Sequence, residues 1–96
     1  MADVVVSDAP ASHRYEATVD GELAGFAEYH DRGTTRVFTH TEVLDAFEGH
    51  GVGSALAKGA LDDVSASGRR VKAICPFIAA YIGRHPSYET LLVVDA

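Results

Sequence analysis

The stretch EGHGVGSALAKGAL (residues 48–61) places three glycines within five residues, directly ahead of a run that reads as a helix. Val52, Leu56, Ala60 and Val64 recur every four residues, with Ala55, Ala57 and Leu61 beside them. That period is an amphipathic helix. Ser67-Gly68 ends it, since glycine is favoured just past a helix C-terminus. The glycines therefore stand at the helix start. A helix N-terminus leaves its first N–H groups unpaired and carries partial positive charge. Glycine there has two physical uses. It makes a tight turn needing positive φ, or it lets a bulky anion approach the backbone. The N–H groups of Gly49, His50, Gly51, Val52, Gly53 and Ser54 are the candidate anion donors. Both uses stay open on glycine count alone. The stretch is not a P-loop, because the Lys-Ser/Thr pair is missing.

Upstream, the period is that of strands. A short apolar start, VVV, is followed by SDAPAS (residues 7–12), which reads as a loop. In RYEATV, Tyr15, Ala17 and Val19 alternate with Arg14, Glu16 and Thr18. Asp20-Gly21 is a strong hairpin signal. ELAGFAEYH resumes as the partner strand, DRG (31–33) reads as a second turn, and TTRVFTHTEV is a β-branched third strand. Downstream, RRVKAIC reads as a fourth strand. Pro76 suits the first turn of a second helix, with Phe77, Ile78, Tyr81 and Ile82 on one face and Pro86 closing it. The tail YETLLVVD is a candidate last strand. The expected fold is α+β, in the order β-β-β-α-β-α with a candidate strand at each end. The sheet is mixed and mainly antiparallel, with two main helices packed on it.

The chain has 96 residues, which predicts one domain over 1–96. Its 47% hydrophobic and 23% charged content is that of a globular protein. A net charge of -6 argues against nucleic-acid binding and suits a cationic partner. One cysteine rules out an internal disulfide. MADVVVSDAPASHR reads as neither signal peptide nor membrane span, so the expected setting is cytoplasmic. His13, His30 and His50 show no metal spacing, and no metal site is expected.

The arrangement resembles the GNAT-type N-acetyltransferases, whose pyrophosphate loop reads Gln/Arg-x-x-Gly-x-Gly/Ala and opens the central helix. Gly51 and Gly53 match the two small positions, and Glu48 stands where the family has Gln or Arg. HTEV (40–43), GHGVGSAL (49–56) and CPFIAAYIGRHPSY (75–88) look like the short single-domain subfamily, with the resemblance running from about residue 13 to 92. It implies acetyl-CoA as co-substrate, with its pyrophosphate on the loop N–H groups. It further implies a pantetheine arm pairing with the edge of the strand that ends near Val43 and Leu44. The thioester is then held where that strand parts from the one ending at Cys75. Tyr81 and Arg84 on the second helix are further candidate cofactor contacts. Gly83 falls where longer relatives often carry a tyrosine acid, so Tyr81 and Tyr88 are its candidate stand-ins. The chain has no room for the two helices that shape the acceptor pocket in longer relatives.

Acetyl transfer to an amine needs a base for the amine proton and an acid for the departing thiolate. In a regular strand, Phe38, His40 and Glu42 share one face, with i and i+2 neighbours roughly 6.5–7 Å apart. His40 and Glu42 are thus the candidate base, alone or through a water. The alternatives are a histidine bonded to its neighbour and a solvated strand end. A bulge, common near active sites, would break this geometry. Cys75 precedes a helix N-terminus, where a thiolate is favoured. It is a candidate to orient the thioester, protonate the leaving thiolate or accept the acetyl group, and otherwise a small buried hydrophobe. The expected function is an acetyl-CoA-dependent N-acetyltransferase acting by direct attack. The acceptor is an amine: small amine, polyamine or protein lysine. The alternatives are a non-catalytic CoA- or acyl-CoA-binding module and a protein-interaction domain. The expected state is a monomer or weak homodimer.

Overall fold

A computed structural model describes residues 3–93. Five strands form one sheet in the order of the chain: β1 (Val4–Ala9), β2 (Arg14–Val19), β3 (Glu22–Arg32), β4 (Thr35–Val43) and β5 (Arg70–Ala73). The first four pair antiparallel, and β5 joins β4 in parallel after the crossover through helix α1 (Val52–Ala66). Helix α2 (Pro76–Arg84) follows β5. This is the expected α+β fold, with a mainly antiparallel mixed sheet and two main helices.

Asp20 and Gly21 both adopt positive φ, 51° and 82°, as a two-residue hairpin turn requires. The next turn is displaced from its expected place. β3 runs on through Arg32, and the turn is Gly33-Thr34, because Asp31 pairs with Arg36 in the ladder and bonds its guanidinium. Ser7, Asp8 and Ala9, expected in a loop, extend β1, and Pro10–Ser12 forms a 3-10 turn. Asp8 is held there by the Tyr29 hydroxyl at 2.5 Å. β5 is shorter than RRVKAIC suggests, and Cys75 is the residue that caps α2. Tyr88–Leu91 of the tail belong to a 3-10 turn, Pro86–Leu91, and among the described residues only Leu92 bridges Val71. Val94 and Asp95, the end of the expected last strand, lie outside the described residues.

Both helices pack into one core on one face of the sheet. Val52, Leu56, Ala57, Ala60, Leu61 and Val64 of α1 and Ile78, Tyr81 and Ile82 of α2 meet Tyr15, Ala17, Ala27, Tyr29 and Phe38. Phe77, expected on the buried stripe of α2, is 36% exposed at its edge. The buried Arg36 joins the polar end of this core. It bonds Asp31 at 2.8 and 3.0 Å and the Tyr15 hydroxyl at 2.8 Å, and lies 3.9 Å from the Tyr29 ring centroid. Tyr15 in turn donates to Asp63 of α1 at 2.6 Å. Such a network ties β1, β2, β3, β4 and α1 into one register, since a buried polar group left unpaired is costly. Among the described residues no helix covers the other face of the sheet, which carries Arg14, Glu16, Phe26, Glu28, His40 and Glu42.

Candidate active site

The site begins where β4 and β5 part. The N–H groups of Ile74 and Cys75 both donate to the Phe38 carbonyl, at 3.0 and 2.9 Å. Beyond Phe38, β4 continues to Val43 with only β3 paired to it among the described residues, and the chain after β5 turns away into α2. The gap thus exposes one edge of Thr39–Val43, and such an edge offers unpaired N–H and C=O groups.

The register of β3 against β4 slips at this same point. Tyr29 pairs with Phe38 and Glu28 with His40, so Thr39 is one residue extra in β4. A bulge of this kind reverses the alternation beyond it. The expected sharing of one face by Phe38, His40 and Glu42 is therefore corrected. Phe38 is fully buried in the helix-side core, while His40 and Glu42 project from the open face. The pair itself holds together: His40 Nε2 lies 3.3 Å from Glu42 Oε1, and each is about half exposed, at 54% and 51%. The Phe26 ring stands 6.3 Å from the imidazole, and Arg14 lies 4.5 Å from the Phe26 centroid.

The bulge also turns Thr41 inward. Its hydroxyl lies 3.3 Å from the Cys75 sulfur, and Cys75 is only 3% exposed. No sequence pattern marked Thr41, because its direction depends on a register slip against β3 rather than on its own strand.

From Val43 the chain makes a 3-10 turn, Asp45–Phe47, then the glycine loop. Gly49 and Gly51 sit at φ 82° and 73°, with Gly51 as the cap of α1. Ala55 is the first residue whose N–H returns to a carbonyl, that of Gly51 at 3.0 Å. From Gly49 to Ser54 no N–H has a backbone partner among the described residues. All of these residues except His50 line a hollow of about 270 Å³, together with Val43, Glu48, Phe47 and Phe77. The two phenylalanines were not foreseen as site residues. Phe77 directly follows the helix-opening proline, and its place at the flank of the 78/81/82 stripe was the available signal.

Leu44 is tied by its N–H to the Ala24 carbonyl at 2.8 Å. His50 borders a second, larger cavity of about 660 Å³ beside Asp3, Val4 and Val19. Tyr81 is in the core, its ring stacked on His85 at 4.0 Å. Arg84 is exposed in the last turn of α2. Tyr88 donates to Asp62 at 2.7 Å, and that bond, with some burial, pushes its hydroxyl up to about 12. Among the described residues no three His, Cys, Asp or Glu side chains are grouped to hold a metal ion. None of their helices is long and apolar enough to cross a membrane.

A strand edge that leads, through a 3-10 turn and a glycine loop, to a helix start with unpartnered N–H groups has the shape to take an extended ligand that carries an anion. A family model described as GCN5-related N-acetyl-transferase matches residues 14–91. The chain belongs to the GCN5-related N-acetyltransferase family. Solved structures agree on the fold of this acetyltransferase-family chain. A GCN5-like protein from Staphylococcus aureus superimposes with a TM-score of 0.71 at 17% identity, covering 100% of this chain and 94% of that one. The ribosomal-protein-S18-alanine N-acetyltransferase from Escherichia coli gives 0.64 at 16% identity, covering 91% and 76%. A GNAT-family protein from Desulfovibrio desulfuricans gives 0.54 at 25% identity. It covers 80% of this chain, which spans about half of that one, 52%. No curated protein matches the chain.

Proposed function

We propose that the protein is an acetyl-CoA-dependent N-acetyltransferase that passes the acetyl group directly to an amine on the open face of the sheet. The observation that carries this reading is the continuity of the open β4 edge, Thr39–Val43, with the unpartnered N–H groups of Gly49–Ser54. These residues fit acetyl-CoA: the edge suits the amide-bearing pantetheine arm, and the N–H groups with the α1 dipole suit the pyrophosphate. Gly51, at φ 73°, forms the turn that opens α1.

Bound acetyl-CoA supplies a thioester carbonyl open to attack by an amine. This chain supplies the proton handling. Glu42 and His40, 3.3 Å apart on the open face, take the proton of an incoming ammonium or amine. Cys75 brings its sulfur to the parting of the strands, 3.3 Å from the Thr41 hydroxyl, as the candidate acid for the departing thiolate. Phe77 and Phe47 wall the hollow with apolar surface and limit the water that reaches it. The net charge of -6 draws cationic acceptors. The Escherichia coli structural relative is named for acetylating an alanine of a ribosomal protein. A polypeptide amine is therefore one acceptor class, beside small amines and polyamines.

One observation favours a second reading, a CoA-binding module without turnover. Glu48 lines the hollow next to the glycine N–H groups, where a carboxylate opposes a pyrophosphate. Calorimetric titration with acetyl-CoA, repeated with Gly51→Asp, tests both readings at their root. Binding that the substitution abolishes in a folded protein is the expected outcome. No binding by the folded wild type would defeat both. Acetyl transfer to an amine, reduced at least about 100-fold by His40→Ala, then separates enzyme from module.

A further inference from the structure

We propose that Thr41 is the positioning residue for Cys75, and that this pairing makes Cys75 a proton donor rather than a nucleophile where β4 and β5 part. The inference rests on the acetyl-transfer reading above. Three observations lead to it. The extra residue at Thr39 reverses the alternation of β4, so Thr41 faces the helix side and His40 the open side. The Thr41 hydroxyl is 3.3 Å from the Cys75 sulfur. The Cys75 N–H is tied to the Phe38 carbonyl at 2.9 Å, so both its backbone and its side chain are anchored to β4.

A nucleophilic cysteine is activated by a base within hydrogen-bond reach or by a lowered pKa; the start of α2 favours the Cys75 thiolate whether it attacks or gives up a proton, so a base at hand would mark the nucleophile. The imidazole that could serve is His40, and the bulge sends it to the opposite face, where Glu42 engages it. Cys75 meets a hydroxyl instead. Either group can donate across this contact; in the proposed arrangement the stronger O–H donor, Thr41, donates to the sulfur and leaves the thiol proton for another acceptor. In acetyl transfer the acceptor nitrogen gains a bond to the acyl carbon as the carbon–sulfur bond breaks. The Cys75 proton goes to the departing sulfur. The cysteine sulfur, briefly anionic, is stabilised by the Thr41 hydroxyl. It regains a proton through solvent from the His40/Glu42 pair, which holds the one taken from the amine. No oxidant or reductant enters, and protons balance.

The test reads the sulfur in the free protein. The 13Cβ resonance of Cys75 is followed by NMR against pH in wild type, Thr41→Ser, Thr41→Val and Thr41→Ala, with amide spectra to confirm folding. Loss of one hydrogen bond to the thiolate lowers its population at a given alkaline pH roughly threefold to tenfold in the Val and Ala variants, and Ser restores it. Unchanged titration in both variants, or a shift toward more thiolate, overturns the positioning role. Intact-mass measurement after incubation with acetyl-CoA is expected to show Cys75 unmodified, and an acetyl adduct on Cys75 overturns the proton-donor role. Because the titration needs no ligand, it stands or falls apart from acetyl-CoA binding, which calorimetry reads separately.

Discussion

Phe77 stands over Gly53 so closely that a Cβ at position 53 would lie 2.8 Å from its Cζ. Both residues line the hollow at the start of α1. The Phe77 ring is partly exposed at the edge of the core, so Gly53→Ala meets the far end of a side chain rather than backbone. The helix gains up to about 1 kcal/mol from losing a glycine, offsetting the shift. The expected result is a melting temperature changed by only a few degrees (roughly 1 kcal/mol). Acetyl-CoA affinity is expected to fall about tenfold as the ring moves into the hollow, about 1.4 kcal/mol. Calorimetry and thermal melts on one sample check both.

Gly51 is different, because nothing lies within 4 Å of a Cβ there and the whole constraint is φ 73°. Gly51→Ala is expected to lose about 1–2 kcal/mol of stability. Gly51→Asn, which tolerates the left-handed region, is expected to lose less. Urea denaturation distinguishes the two.

Arg36 holds Asp31, Asp8 and Tyr15 from the buried end of β4. Arg36→Met leaves carboxylates facing a side chain without charge, and the expected cost is about 3–5 kcal/mol. Chemical denaturation would read this, and a loss below about 1 kcal/mol would contradict the buried network.

The same contacts set the acid limb of stability. Hydrogen bonds from Arg36 hold the Asp31 carboxyl below its ordinary range. Its contribution is present above the unfolded value, about 4, and is lost as pH falls through the depressed folded value. Melting temperature is expected to fall below about pH 4, and Asp31→Asn is expected to flatten that slope.

The alkaline limb runs the other way. Burial and the Asp8 hydrogen bond push the Tyr29 hydroxyl up to about 12, Tyr88 reaches about 12 through Asp62, and burial raises Tyr15 further. Stability from these groups is full below the unfolded value near 10 and falls as pH rises through the folded values. Tyrosinate absorbance of the native protein is expected to lag that of the urea-unfolded chain above about pH 10.

Much of the fold was readable along the chain because it rests on local rules. Asp20-Gly21 announced its hairpin, the 52/56/60/64 spacing announced α1, and Pro76 announced the start of α2. The displaced turn at Gly33-Thr34 was not readable, because DRG satisfies turn chemistry locally. Only the Asp31–Arg36 pairing across the ladder keeps those residues in the strand. Phe77 was misplaced for a related reason: at the edge of a helical stripe, burial depends on what the neighbouring helix offers, and α1 offers Gly53.

The sequence by itself determined the order of strands and helices, the glycine loop at the head of α1 and the closeness of His40 to Glu42. Each follows from period, turn chemistry or i to i+2 spacing, all properties of a few adjacent residues. The tertiary structure alone decided which way the HTEV segment faces. The extra residue at Thr39 exists only in the pairing of β4 with β3, and one slipped residue exchanges the two faces of everything beyond it. That exchange gives His40 and Glu42 to the open face and Thr41 to Cys75.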